Sequence, residues 1–210
     1  MEIKNKNELL DKLSSYSQNP DDENIRYKEL IKNKLLNCPE LLYALHEPDL
    51  EKELFNKDGT LNVDENGDLA GEVSRFFGTN QNIRPYLFIP ETQTDDKNMV
   101  CYQVSFDSVG RYNNFQKYTL VTFTIFCQEQ DIVDELTGIP RHDLIACILR
   151  DKFNWSNIFG MQSKLISSKE SIADNHYLVR TIVFEMIDLN GTVTTSYGGK
   201  PDYTNYHLRR

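Results

Sequence analysis

The chain has 210 residues, a size that suits one domain with appendages and can bury a core without disulfides or a metal. With 39% hydrophobic and 26% charged residues, it is not predicted to be disordered throughout. Its net charge of −9 argues against a free-standing nucleic-acid-binding protein, because contacts to phosphate dominate such binding and need a basic surface.

The first 55 residues are predicted to form a segment of short helices. Leucines on one face predict a helix over residues 6–17, and a second apolar stripe predicts another over residues 23–37. Two shorter helical turns should follow, the first of them beginning at Pro39. Helices this short are marginal alone, so we expect them to pack on a sheet, either of this subunit or of a neighbouring one.

Residues 56–82 are predicted to be an acidic loop. The spacing of Asn62, Asp64 and Asn66 resembles the start of a calcium-binding EF-hand loop. The twelfth position of such a loop needs a glutamate that binds with both oxygens, and Val73 stands there. An ordinary acidic turn is therefore favoured over a calcium site.

Residues 83–190 are predicted to form an α+β core, in which an antiparallel sheet packs against one main helix. Apolar residues that alternate with period two predict its strands. These are expected over residues 84–90, 99–107, 118–127, 161–168 and 177–188. The first strand has prolines near its ends, which favours an edge position in the sheet or a strand terminus. The third strand is apolar on both faces, so it should be covered on both sides.

The main helix of the core is expected over residues 141–153. Its broad apolar stripe consists of Leu144, Ile145, Ile148 and Leu149. The residues that should extend this apolar cover beyond the helix are Trp155, Ile158 and Phe159. The connections at 108–117 and 128–140 have room to project from the core, which makes them candidate contact loops.

Residues 191–210 are predicted to be an extended C-terminal arm, because they contain few aliphatic side chains and are too polar for a core. We expect the arm either to be loose or to become ordered on a partner. Its end is locally basic, with Arg209 and Arg210 close to His207. Such a tip would suit docking on an acidic neighbour or touching DNA, unless it is simply a loose tail end.

Two sets of side chains raise the question of catalysis or metal binding. A zinc site would have to be assembled from Cys127, His142, Cys147 and His176. A metal-dependent nuclease would have to use Asp131, Asp134, Glu135 and Asp143. The zinc candidates are far apart in the sequence, so only the fold could bring them together. The nuclease candidates have an ordinary explanation, because loops before helices often carry acidic residues for capping. We therefore predict no catalytic residue, no metal and no cofactor.

The four cysteines form no CxxC pair, and the chain opens without an apolar signal segment. No run approaches the roughly 18 apolar residues that a membrane-spanning helix needs. We therefore expect reduced thiols and synthesis in a reducing cytoplasm, without attachment to a membrane.

Five segments of the core match the strand and helix pattern of a known group of proteins. They are YLFIPETQT (86–94), YTLVTFTIFC (118–127), RHDLIACIL (141–149), FNW (153–155) and DNHYLVRTIVF (174–184). On these segments, residues 85–190 resemble the small head–tail joining proteins of tailed bacteriophages, most closely their tail-terminator or neck-ring group. The resemblance covers about half of the chain and rests on strand and helix patterns, without any catalytic signature.

The resemblance implies a structural virion protein that is made in the cytoplasm of a bacterial host and is not an enzyme. Its copies would form a homo-oligomeric ring in the neck, between the portal and the tail or neighbouring neck proteins. DNA would pass through the ring without specific binding. The alternative is a non-enzymatic protein-binding module outside any ring. The candidate contacts between subunits are Arg111, Tyr112, Asp131, Asp134, Tyr203, Tyr206, Arg209 and Arg210.

Overall fold

The computed structural model describes residues 5–18, 23–87, 97–109, 116–173 and 177–189. Its helices are α1 (Lys6–Gln18), α2 (Glu23–Leu36), α3 (Pro39–Ala44), α4 (Pro48–Leu54) and α5 (Arg141–Phe153). Its strands are β1 (Ile83–Arg84), β2 (Met99–Val109), β3 (Gln116–Gln128), β4 (Lys164–Ile172) and β5 (Tyr177–Leu189). These elements confirm the predicted α+β class. No helix in the described stretches is long and apolar enough to span a membrane.

The strands form one five-stranded sheet in the order β1-β2-β3-β5-β4. All neighbours are antiparallel except β1, which pairs in parallel with β2. The first strand lies at the edge, as predicted, but it is only two residues long and Pro85 follows it directly. Residues 88–90, which were predicted to continue it, lie outside the described residues.

The strand β4 was predicted over residues 161–168 but spans Lys164–Ile172, so it begins three residues later and ends four residues later than predicted. Residues from Lys169 to Ile172, expected to belong to a connection, pair with β5 between Leu178 and Thr181. These residues are mostly polar and exposed, so they lack the apolar alternation by which a strand is recognised. Backbone hydrogen bonds to β5 hold them in the sheet in spite of this.

Helices α2 to α5 cover one face of the sheet, and the main core lies between the two layers. At its centre, the ring of Phe123 lies 4.9 Å from that of Phe153 and 5.9 Å from that of Phe184. Helix α5 also buries Leu149 and Ile145, which lie one and two turns before Phe153 on the same face. Burying each of these side chains contributes about 1.5–3 kcal/mol, so this cluster is the main source of stability in the sheet.

The opposite face of the sheet carries a smaller group of buried side chains. They are Met99, Cys101, Phe126, Tyr177 and Val179. Phe126 is buried at the C-terminal end of β3, whereas Tyr118 near the other end of the strand is exposed. The predicted cover on both sides of β3 is therefore confirmed on the helical face and, on the other face, at one end of the strand.

Helices α2 to α4 pack into the main core of their own subunit, with α2 against β2 and α3 against α5. Ile31 of α2, Leu41 of α3 and Leu50 of α4 are fully buried in the main core. The hydroxyl of Tyr102 in β2 also donates a hydrogen bond to the carbonyl of Lys28 in α2, at 3.0 Å. Helix α1 differs from the others, because its three leucines remain exposed.

The acidic segment that follows α4 folds into tight turns. Single bridges join Phe55 to Leu61 and Val63 to Leu69. The Asp64 carboxylate, whose spacing was compared above with that of a calcium loop, accepts hydrogen bonds from the backbone of Asp68 and Asn66, which lower its pKa. These hydrogen bonds close a tight turn at this point of the segment.

Of the three apolar residues after α5 that were predicted to cover the core, one does not do so. Phe159 is buried and Ile158 is half-buried against the core, but Trp155 is 58% exposed. The backbone of Trp155 is left-handed, with φ of 60°, and its N–H donates to the carbonyl of Ser163 at 2.7 Å. This reversal of the chain directly after α5 turns the indole away from the core.

Candidate functional site

The most unusual surface of the described chain is the connection between β3 and α5, here called the 132–140 loop. Its apolar side chains Val133, Leu136 and Ile139 are exposed, and Leu136 is 83% accessible to solvent. Exposed apolar side chains are common singly, but three of them within seven residues indicate a contact surface.

The 132–140 loop is fixed by its own hydrogen bonds. The N–H of Asp134 donates to the carbonyl of Ile139 at 3.0 Å, and the N–H of Gly138 donates to the carbonyl of Asp134 at 2.7 Å. Gly138 adopts a left-handed φ of 69°, which suits a residue without a side chain. The hydroxyl and the N–H of Thr137 both donate to the Asp134 carboxylate, at 2.6 and 2.9 Å, and so lower the pKa of that group.

The side chain of Arg141, the first residue of α5, holds the 132–140 loop in place. Its side chain is 3% exposed, and its Nε donates to the carbonyl of Asp131 at 2.9 Å. The two terminal nitrogens pair with the carboxylates of Asp131 at 3.1 Å and Asp134 at 3.4 Å. One of them also donates to the carbonyl of Ala44, at the end of α3. A buried guanidinium with this many partners fixes the position of the loop relative to the helices.

Asp131 connects Arg141 to other parts of the fold. Its carboxylate lies 2.8 Å from Nδ1 of His46 and accepts a 2.5 Å hydrogen bond from the buried amide of Asn98. The same amide donates to the carbonyl of Leu45, and its oxygen accepts from the N–H of Gln128. The polar cluster therefore ties the end of α3, the start of β2 and the end of β3 to the start of α5.

Two open depressions, of about 310 and 300 Å³, flank His46. The first is lined by Tyr43, His46, Asp134, Glu135, Leu136 and Arg141. The second is lined by His46, Glu47, Pro48, Lys97, Asn98, Gln128, Gln130 and Asp131. The pairing of His46 with Asp131 resembles the base of a catalytic triad, but none of these lining residues is a serine, threonine or cysteine that it could activate.

The carboxylates considered for a nuclease have other roles. Asp131 and Asp134 both pair with the guanidinium of Arg141, whose single positive charge offsets one of their two negative charges. Asp143 pairs instead with Arg180 of β5, at 3.0 Å. Within the described part of the chain, no group of three or more His, Cys, Asp or Glu side chains is placed to hold a metal ion.

The residues considered for zinc are also separated. His142 is buried, with its Nε2 3.5 Å from Glu170, whereas Cys147 is exposed on α5. Burial raises the pKa of the Cys127 thiol to about 12, which disfavours the thiolate that a metal would require. His176 lies outside the described residues.

Of the predicted inter-subunit contacts, the structure describes Asp131 and Asp134. Both make their bonds within the chain, and their role between subunits stays a prediction. The remaining candidates lie outside the described residues and are Arg111, Tyr112, Tyr203, Tyr206, Arg209 and Arg210.

Sequence reasoning missed Arg141, His46 and Leu136. The sequence did hold one indication that Arg141 has a specific role. The helix dipole disfavours a positive charge in the first turn of a helix, so an arginine there is expected to have a partner. Leu136 was visible as a lone leucine in an acidic turn. Nothing in the sequence pairs His46 with Asp131, since 85 positions separate them.

A protein-family model named YomW matches residues 34–186. The match takes in α3 to α5, most of the sheet and the 132–140 loop, and it leaves out α1. The name is of the kind given to phage-encoded proteins, so it points to a phage origin without indicating a role. No curated protein matches the chain. Because the family match covers more than half of its length, the chain belongs to the YomW family.

Proposed function

We propose that this protein is a structural component of a tailed-phage virion. Its copies form a homo-oligomeric ring in the neck, between the portal and the tail, and DNA passes through the ring. The observation that carries the proposal is the 132–140 loop, which exposes Val133, Leu136 and Ile139 and is fixed by buried Arg141.

A loop of this kind suits a protein contact. Removing exposed apolar side chains from water contributes favourably to most protein–protein association. An anchor that is already rigid loses little conformational freedom when its partner arrives. Here the network of Arg141, Asp131 and Asp134 provides that rigidity before any partner binds.

A ring needs two different surfaces on each copy, which meet when the copies are related by a closing rotation. The 132–140 loop offers one such surface. Further surfaces are the leucine face of α1 and the outer edge of β4, with which no other described strand pairs. Ile172 on this edge is 71% exposed. The net charge of −9 would keep the passing DNA from binding to the ring.

Deletion of the gene from its phage tests the proposed function. Electron microscopy should then show DNA-filled heads and separate tails, and wild-type protein supplied in trans should restore joined particles. A tagged copy should be found by gold labelling at the neck. A Leu136→Asp copy should fail to restore joining, whereas Val63→Asp, a change at an exposed apolar residue outside the site, should restore it.

Joined, infectious particles from the deletion phage would overturn the proposal. A label that is absent from purified particles would do the same and would favour a binding module that is not part of the virion.

A further inference from the structure

Helix α1 has an apolar face that the described part of its own chain leaves uncovered. Leu9, Leu10 and Leu13 are between 41% and 55% exposed. The N-terminus of the helix is fixed, because Asn5 accepts a hydrogen bond from the N–H of Glu8 at 3.0 Å and donates one to its carboxylate at 2.9 Å. A helix of 13 residues is marginal in water unless it packs on another surface. We therefore expect the leucine face to pack on another protein surface.

The charges of α1 are unevenly placed around this face. Lys6 lies three and four residues before Leu9 and Leu10, so it shares their side of the helix. Asp11, one position beyond Leu10, projects from the opposite side. The leucine face thus carries a positive charge and should prefer an apolar surface with acidic borders.

The 132–140 loop has these properties. Its exposed apolar side chains include Leu136, and exposed Tyr43 lies across the adjacent depression. Two exposed glutamates accompany these apolar side chains, Glu129 just before the loop and Glu135 within it. Both the loop and the leucine face remain exposed within a single chain, so neither satisfies the other there.

We propose that α1 of one copy docks its leucine face on the 132–140 loop of a neighbouring copy. The inference rests on the self-association in the proposed function and names the surfaces that perform it. The two surfaces differ, so each docked copy still offers its own α1 to another loop. This head-to-tail arrangement closes into a ring or continues as a filament.

A mixing experiment with two full-length variants tests this pairing. Leu10→Asp damages α1 and leaves the loop intact, whereas Leu136→Asp damages the loop and leaves α1 intact. Each variant alone should self-associate more than about tenfold more weakly than the wild type, because it loses a buried leucine at the contact. An equimolar mixture should form a complex of two copies and nothing larger, since only one intact pair of surfaces remains. Sedimentation velocity and native mass spectrometry measure these species.

The matched control is Val63→Asp, which should assemble as the wild type does. Circular dichroism should show that all variants are folded, since the changed side chains are exposed. The pairing is overturned if the mixture stays as single copies, if either variant alone assembles like the wild type, or if the wild type itself stays single.

The outcomes separate this inference from the proposed function. If the wild type stays single while the deletion phage yields unjoined heads and tails, the α1 contact is wrong and the neck role stands. If the mixture forms two-copy complexes while the deletion phage still joins its particles, the contact is right and the neck role is wrong.

Discussion

Arg141 binds Asp131 twice, through Nε to its carbonyl and through a terminal nitrogen to its carboxylate. The backbone and the side chain of one loop residue are thereby held by a single buried guanidinium. Because Asp131 also contacts His46 and Asn98, this pair connects the 132–140 loop to the rest of the fold.

Replacing Arg141 with methionine should lower the free energy of unfolding by about 3 kcal/mol. The substitution keeps the volume but leaves Asp131 and Asp134 without their shared cation, and breaking a buried ion pair from one side is strongly destabilising. Urea unfolding measures the change. Arg150→Met removes an exposed arginine from the same helix and should alter stability by no more than about 0.5 kcal/mol. Equal effects of the two changes would contradict the anchoring role of Arg141.

Replacing Thr137 with valine should raise the pKa of Asp134, because the Thr137 hydroxyl makes the largest contribution to its lowering. A carboxyl group whose pKa is lower in the folded chain stabilises the fold above its unfolded pKa of about 3.9, and this stabilisation is lost as the pH falls through the folded value. The wild type should therefore exceed Thr137→Val in stability by about 1 kcal/mol at pH 6, and the difference should shrink towards pH 2. Denaturation across this range measures it, and a difference that grows as the pH falls would refute the assignment.

Phe123→Asp should unfold the domain. The side chain is fully buried between Phe153 and Phe184, where an unpaired carboxylate has no compensating partner. Tyr118→Asp changes an exposed residue of the same strand and should leave a cooperative thermal transition. Soluble Phe123→Asp protein with unfolding like that of the wild type would show that the core is assigned wrongly.

Thiol labelling should distinguish one cysteine from the other three. Cys147 is exposed, whereas Cys38, Cys101 and Cys127 are buried. Burial also raises the pKa of Cys38 to about 11 and that of Cys127 to about 12, so little thiolate is present to react. A maleimide should label one thiol per native chain and four in denaturant, and Cys147→Ser should abolish the native reaction. Rapid labelling of more than one native thiol would contradict the buried positions.

The framework of the fold could be predicted because its signals are periodic. Helix α5 was predicted with its observed bounds, and the apolar alternation predicted β3 and β5, whose Phe123 and Phe184 lie in the main core. The second half of β4 was not predicted, since exposed polar residues there pair through the backbone alone. The exposure of Trp155 was not predicted, because it depends on the left-handed backbone of Trp155 itself. A tryptophan in the sequence gives no reason to expect that conformation.

The candidate site was only partly predictable for a different reason. The 128–140 connection was recognised as a contact loop, but its rigidity depends on pairs that are remote in sequence, such as Arg141 with Ala44 and His46 with Asp131. Local patterns carry no information about such pairs. The sequence therefore indicated a candidate contact loop, and the structure shows which side chains hold that loop in place.

The ring is tested most directly by imaging the purified protein in negative stain, alone and mixed with the portal protein of its phage, with native mass measured in parallel. We expect rings of one size, either in the protein alone or on the portal, and the mass of the ring, without that of any bound portal, should be a whole multiple of the 24.5 kDa chain. A single copy or a small particle that ignores the portal would contradict the account.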